Sequence, residues 1–465
     1  MRFVRSCALI VAALVIGWPA VIFAHTVLRR SEPANGADLR VAPRVIRLTF
    51  SEPPQLAFTQ VELIGPDSQR VALSELRVAT PDSTAVVVAD VVGPLTAGRY
   101  RIRWQITSAD GHPVRGTVTF RIAVDAAGLA VSPMDSAASA ALPPVALDTT
   151  PPPSSIADAD TAFGVDSWPY AVIRLLTFAA ILVVVGAVMF SLIVVPATHH
   201  RVPDLGADFV VDARHRAARA GLMASGLLGV LVVARLIAQS YAVRGALPNG
   251  EFLSAVSGTP WGWGLMLAAV SVAALIVALA RSARAVWPLA AIGILGLALA
   301  TALSGHAVAS RAWTIPAVIS DTVHVLSAGG WLGALLFVVI AGVPATARLE
   351  PLGRGLAVRG MVDAFSPMAL TLAGALAVTG VIAAVIRIGS WSAITGSEYG
   401  RVFLWKLGGV VLVLLAGAYN WRRLRPTMTA DRVGTLRRTA TAELTLGFVV
   451  LILTAWLVAT PPPTE

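Results

Sequence analysis

Strict alternation of apolar and polar residues marks three segments in the first quarter of the chain. Ile46, Leu48 and Phe50 alternate with Arg47 and Thr49, and Tyr100, Ile102, Trp104 and Ile106 alternate with Arg99, Arg101, Arg103 and Gln105. Val114, Gly116, Val118, Phe120 and Ile122 alternate in the same way with Arg115, Thr117, Thr119 and Arg121. A period of two puts one face of each strand on a core and the other in water. Gly65-Pro66-Asp67, Pro81-Asp82 and Gly93-Pro94 supply turns between strands. An all-β antiparallel sandwich of about seven strands, of the Greek-key kind, is expected over residues 25–124. From Trp168 onward the pattern changes to long apolar runs. Eight stretches, near 168–195, 217–239, 262–280, 286–303, 316–343, 365–388, 402–420 and 441–459, are long enough for a hydrocarbon core of about 30 Å. The third and fourth are separated only by Arg281–Ala285, a tight hairpin. An all-α polytopic membrane domain of about eight helices is therefore expected over 168–460. Residues 125–167 between the two domains are rich in Ala, Pro, Ser and Asp, with Pro151-Pro152-Pro153 at the centre, and read as an extended linker.

Residues 1–24 have the form of a secretory signal. Arg2 and Arg5 precede an almost wholly apolar run from Cys7 to Ile22, and Ile22-Phe23-Ala24 suits a peptidase. Cleavage there removes Cys7, the single cysteine, so disulfides and thiolate ligands are not expected in the mature chain. Cleavage also makes His25 the new N-terminus, where a free amine sits beside an imidazole.

Composition agrees with a membrane protein. Of 465 residues 56% are hydrophobic and 13% charged, about half the charged fraction of a soluble domain. The net charge of +10 raises the question of a polyanionic partner. Its distribution answers it: between His25 and Asp125 there are 12 basic and 10 acidic residues, so the excess lies in the membrane part. Fifteen arginines (Arg201, Arg214, Arg216, Arg219, Arg281, Arg284, Arg348, Arg354, Arg359, Arg422, Arg423, Arg425, Arg432, Arg437 and Arg438) fall in expected inner loops. Three (Arg244, Arg311 and Arg401) fall in outer ones. This positive-inside bias agrees with the signal segment in placing the β domain and the C-terminus outside the cytoplasmic membrane of a bacterium. No nucleic acid is implied. Lys406, the single lysine, is followed by Leu407, so the chain has no phosphate-binding Gly-Lys-Ser/Thr and no ATP site.

Seven histidines are few, and their placement carries the chemistry. Asp110 and His112 lie in Ser108-Ala109-Asp110-Gly111-His112-Pro113, a turn leading into the last expected strand. Their i, i+2 spacing in extended chain turns both side chains to one side. With the N-terminal segment beside that turn, one amine, two imidazoles and one carboxylate converge. A nitrogen-rich, tetragonal set with one oxygen suits Cu(II).

At this point a family becomes visible. His25-Thr26 through Pro33, Leu48-Thr49-Phe50-Ser51-Glu52-Pro53 and Trp104-Gln105-Ile106-Thr107-Ser108-Ala109-Asp110-Gly111-His112-Pro113-Val114-Arg115-Gly116 closely resemble CopC copper-binding proteins. The membrane part resembles CopD in Gly305-His306, Asp321-Thr322-Val323-His324 with Trp331-Leu332-Gly333, Tyr399-Gly400-Arg401 before Lys406-Leu407, Asn420 and Glu443-Leu444. The chain thus resembles a CopC–CopD fusion in everything but the signal and linker. The resemblance implies a Cu(II) site at His25, Asp110 and His112. Some CopC proteins carry a methionine-rich Cu(I) site as well, but no methionine lies between His25 and Asp125, so a Cu(II)-only domain is implied.

Within the membrane, ionisable residues are functional candidates because burying them is costly. His306 at the outer end of the fourth stretch and His324 in the fifth are expected copper ligands near the outer mouth, with Asp321 one turn earlier orienting His324. Glu443 and Lys406 either pair or take part in proton coupling, and ion pairing is the more ordinary arrangement. Met189, Met223, Met266, Met361 and Met368 are read as packing and His199, His200 and His215 as solvated inner surface. Trp168, Trp261, Trp263, Trp313 and Trp391 are read as interfacial anchors. Three functions compete. The first is a copper transporter that captures Cu(II) outside and moves copper inward across the bilayer. The second is extracytoplasmic sequestration, or delivery to other copper chaperones or cuproenzymes. The third is a copper redox enzyme using an N-terminal histidine brace. Asp110 as a third protein side chain would damp such redox activity, so the chain is read as a non-enzyme.

Overall fold

The computed structural model describes residues 27–51, 53–79, 85–107, 113–123, 167–281, 286–305, 314–388, 391–424, 429 and 432–460. The expected signal segment, nearly all of the expected linker and the expected hairpin between the third and fourth spans lie outside these residues. The chain divides into two compact units, one of strands and one of helices.

The strand unit consists of β1 (Leu28–Glu32), β2 (Ala37–Leu39), β3 (Val45–Phe50), β4 (Gln60–Ile64), β5 (Arg70–Val71), β6 (Arg77–Val78), β7 (Val86–Asp90), β8 (Gly98–Thr107) and β9 (Pro113–Ile122). They form a four-stranded sheet, β1-β3-β7-β6, and a five-stranded sheet, β2-β9-β8-β4-β5. The chain crosses repeatedly between the sheets, as the expected Greek-key sandwich requires. The alternation read from the sequence is the burial pattern: Ile46, Leu48, Ile102, Ile106, Val118, Phe120 and Ile122 are all buried in one core. Tyr100 stacks on Phe120 with centroids 5.3 Å apart, and Trp104 meets Phe50 edge-on at 5.4 Å. Trp104 pairs across the ladder with Gly116, and a Cβ at Gly116 would overlap the indole ring. The period-two position that carries no side chain therefore receives the largest one in the sheet. Two points differ from expectation. Among the described residues the strands number nine, because β2, β5 and β6 have only two or three residues, too few for alternation to register. In addition β2 pairs parallel with β9, a direction set by the crossover between sheets.

The helical unit consists of α1 (Trp168–Arg201), α2 (Pro203–Arg244), α3 (Gly250–Ser257), α4 (Pro260–Arg281), α5 (Trp287–Leu303), α6 (Thr314–Ala345), α7 (Pro351–Ile388), α8 (Trp391–Gly396), α9 (Glu398–Arg423) and α10 (Val433–Ala459). Each of the eight expected spans falls on one of these. Seven are long and apolar enough to cross a membrane; the 17-residue α5 reaches only about 25 Å at 1.5 Å per residue. Helices α2, α7 and α10 begin at Pro203, Pro351 and Val433, well before the apolar stretches at 217, 365 and 441. Arg214, Arg216, Arg219, Arg354, Arg359, Arg437 and Arg438, expected in loops, consequently lie on helical turns. Hydropathy marks where a helix is apolar and not where its hydrogen-bond ladder ends. The expected outer loops also contain α3 and α8. Asn249 caps α3 by accepting from Phe252 N at 2.9 Å, and Ser397 caps α9 by accepting from Gly400 N at 2.9 Å.

Helices α1 and α6 form the centre. Their apolar windows are 61% and 67% buried, against 11–39% for the other long spans. They touch backbone to backbone, because a Cβ at Gly186 would overlap Gly333 and one at Gly333 would overlap Leu182 O. Close approach through small residues is how helices associate where lipid is as apolar as leucine. Phe190 of α1 and Phe337 of α6, both fully buried, fill the contact with centroids 6.1 Å apart. Both helices are locally wound as π-turns, over Phe190–Val194, Gly329–Gly333 and Val338–Gly342. One expected anchor is corrected here: Trp261 is buried in the bundle, whereas Trp168 and Trp263 are exposed as anchors should be.

Candidate functional site

His25, Asp110 and His112 lie outside the described residues, but the residues flanking them do not. Val27, two positions after His25, is tied to Ser51 by two hydrogen bonds, Val27 N to Ser51 Oγ and Ser51 N to Val27 O, both 2.9 Å. Gln55 N donates to Thr107 O at 3.0 Å, and Thr107 pairs with Pro113 at the end of the β8–β9 ladder. Leu28 pairs with Phe50, whose ring lies on Trp104. The start of β1, the end of β3 and the mouth of the β8–β9 hairpin thus share one end of the sandwich. The described neighbours of all three candidate ligands meet there.

In the helical unit His324 lies ten residues after Thr314, the first residue of α6, and is half-buried against α7. Its Nδ1 is 2.9 Å from Thr379 Oγ1. The Thr379 hydroxyl donates its single proton to Ala375 O at 2.8 Å. With the hydroxyl proton spent on the α7 backbone, the Nδ1 contact of a neutral imidazole is N–H donating to Thr379, the arrangement that places the ring's lone pair on Nε2. That tautomer turns Nε2 to a metal while Thr379, a partner that the sequence did not point to, holds Nδ1. A threonine nine residues before the end of an apolar helix gave no signal of its own. Asp321 stands one turn before His324, half-buried. His306 lies outside the described residues; α5 ends three positions before it, at Leu303. Among the described residues no three His, Cys, Asp or Glu side chains cluster as a metal centre would require.

Further along α6, two turns past His324, Trp331 reaches Glu443 of α10. Glu443 is 3% exposed. Its Oε2 accepts from Asn420 Nδ2 at 3.0 Å, and the Trp331 side chain is a second hydrogen-bonding neighbour. Gly417 of α9 packs so closely that a Cβ there would stand 3.1 Å from Oε1. The expected pairing with Lys406 is not what forms: Lys406 lies fourteen residues before Asn420 on α9, roughly 20 Å along the axis. A second buried charge escaped sequence reasoning altogether. Arg174 of α1, 7% exposed, lies over the Tyr170 ring at 5.2 Å and donates to Ala455 O at 3.3 Å. One arginine inside an apolar run was the available signal.

The remaining candidates are scattered. Met361 is fully buried and Met223 and Met266 are exposed, while Met189 packs on Gly330 and Met368 on the α1–α6 core; these five do not form a shared thioether site. His200 and His215 are exposed, whereas His199 is half-buried with an enclosed Nδ1.

Three family models match the chain. They are the CopC domain over residues 28–123, the copper resistance protein D-like N-terminal domain over 165–315 and copper resistance protein D over 359–457. The chain belongs to the CopC–CopD copper resistance family. Among its relatives, the copper transport protein CutJ of Bacillus subtilis (strain 168) is 26% identical over 459 residues, 96% of this chain and 76% of CutJ. Copper resistance protein C of Pseudomonas syringae pv. tomato is 33% identical over 108 residues, 22% of this chain and 84% of that protein. Copper resistance protein C of Escherichia coli is 34% identical over 124 residues, 25% of this chain and 94% of that protein. The crystal structure of PcoC, a methionine rich copper resistance protein from Escherichia coli, is 32% identical, covers 21% of this chain and 99% of its own, and has a TM-score of 0.19. This CopC–CopD chain is thus a multi-pass membrane protein of a copper-transport and copper-resistance family.

Proposed function

We propose that the β domain captures Cu(II) outside the cytoplasmic membrane and that the helical domain carries copper inward across that membrane. The observation that carries this reading is the extent of the likeness to CutJ, a copper transport protein, which runs through 96% of the chain and so through both units. On this reading residues 1–24 are removed, 25–124 form the capture domain, 125–167 link it to the bilayer and 168–460 form the transport domain. The new amine and imidazole of His25, with His112 and Asp110, hold Cu(II). Their flanking residues meet at one end of the sandwich, which supports the set. The capture domain binds Cu(II) alone, since residues 25–125 contain no methionine to supply a soft site for Cu(I). Copper then passes to His306 and His324 near the outer mouth, where the Nε2 lone pair of His324 is presented by Thr379 and Asp321 orients the same ring. Three protein side chains and an amine leave Cu(II) little room to activate oxygen, so the domain acts as a carrier and not an enzyme.

The test is cell-associated copper, measured by elemental analysis in a null strain and in strains carrying the wild type or His324→Ala. More copper with the wild type, lost in the variant, is expected. Lower or unchanged copper with altered tolerance would replace inward transport by sequestration outside the membrane. For the capture site, a chain retaining one extra residue before His25 should bind Cu(II) much more weakly, because the amine is displaced. Asp110→Ala and His112→Ala should each weaken binding as well. Equal affinity in all three would remove these groups from the site.

A further inference from the structure

Glu443 is a buried carboxyl that copper capture does not use. Charged groups on the elements packed around it point elsewhere. Arg422 and Arg423 of α9 and Arg437 and Arg438 of α10 are exposed. Asp363 of α7 stands 3.9 Å from Arg359. Helix α6 has no ionisable residue after His324, and Arg174 of α1 donates to α10 at Ala455, twelve residues beyond Glu443. An ionised carboxylate at this depth with no cation beside it is costly.

The two neighbours that it does have share an unusual backbone. Trp331 lies in the π-turn Gly329–Gly333 of α6, and Asn420 opens the π-turn Asn420–Leu424 of α9. Such turns interrupt the regular ladder and concentrate at functional positions. Asn420 Oδ1 is itself buried with no hydrogen-bond partner. An amide has a donor end and an acceptor end of nearly the same shape. Asn420 therefore donates to the ionised carboxylate in one orientation, and turned over accepts an O–H from the acid in the other. Copper at His324 would lie seven residues from Trp331 on the same helix, about 10 Å along its axis.

We propose that Glu443 is a proton-binding site of the bundle, carrying a proton as the neutral acid and releasing it as copper moves, with Asn420 turning over to match each form. In the release step the Glu443 O–H bond breaks, the electron pair stays on the carboxylate and the proton passes to water. The proton site stands by itself; its coupling to copper rests on the transport reading above.

The test begins with infrared difference spectra of the full chain in lipid nanodiscs across a pH titration. A protonated-carboxyl C=O band is expected in the wild type, absent in Glu443→Gln and shifted in Asn420→Ala, which leaves Glu443 in place should Glu443→Gln fail to fold. A band unchanged in both variants, or none in the wild type at any pH that keeps the protein folded, would overturn the proposal. Copper uptake into liposomes, with and without an imposed pH gradient, then tests the coupling. Wild-type uptake should respond to the gradient and Glu443→Gln uptake should not. Gradient-independent wild-type uptake would overturn the coupling while leaving the proton site standing on its band. A complete lack of wild-type uptake would instead overturn the transport reading.

Discussion

Replacing Thr379 by valine removes one hydroxyl and keeps the β-branched shape, so it isolates the bond that fixes the His324 tautomer. Thr379 is 7% exposed, and its Oγ1 is shared by His324 Nδ1 at 2.9 Å and Ala375 O at 2.8 Å. With a methyl in its place the Nδ1–H loses its acceptor, and a buried donor left unsatisfied costs about 1–3 kcal/mol. The neutral ring escapes that cost by moving its proton to Nε2, which consumes the lone pair needed for copper. At 1.36 kcal/mol per factor of ten, the ligating form falls roughly 5- to 150-fold, in the range of about 10–100-fold found when a ligand's supporting partner is removed. Copper uptake by the full chain in liposomes should fall by that factor in Thr379→Val and stay near wild type in Thr379→Ser, which keeps the hydroxyl. His324→Ala should abolish uptake, and adding Thr379→Val to it should cost nothing more. A folded Thr379→Val protein with undiminished uptake would refute the reasoning, since it would show that His324 needs no fixed tautomer.

Two further outcomes concern the β domain. Gly116→Ala places a Cβ against the Trp104 indole and should cost about 1–3 kcal/mol of overpacking, lowering the domain's thermal midpoint by about 4–8 °C per kcal/mol when followed by tryptophan fluorescence; an unchanged midpoint would mean that the indole has room to move. The Asp90 carboxyl is held below the usual carboxylate range by its hydrogen bond with the Arg77 guanidinium, at 2.6 and 2.9 Å. Because its folded value lies below the unfolded one, the pair stabilises the domain above the ordinary carboxylate range and stops doing so as pH falls through the folded value. Asp90→Asn should therefore melt slightly below wild type near neutrality and together with it in acid. The effect is small because the pair is exposed, and a gap that widens on acidification would contradict the assignment.

Much of the fold was legible because it follows from local rules. Period-two alternation specified which residues of β3, β8 and β9 face the core, since successive side chains on a strand point to opposite faces whatever the strand pairs with. Apolar length located every span, since a helix crossing lipid must hide its backbone within itself. Helix ends were missed where polar turns continue the ladder beyond the bilayer, as at Pro351 and Val433. For the candidate site, residue type and position nominated His324 and Glu443, because an ionisable group in an apolar run stands out.

The partners of those residues were another matter. That Thr379 meets His324, that Asn420 and Trp331 meet Glu443 where Lys406 was expected, and that Gly333 lies on Gly186 all depend on the rotation and depth at which separate helices pack. The same holds for the parallel pairing of β2 with β9. No window of sequence contains those quantities, because one helix face can be satisfied by many neighbours. The sequence by itself determined which groups are too costly to bury without a purpose. Only the packed bundle decided what each is buried against, because a hydrogen bond depends on two positions at once while hydropathy and period are properties of one.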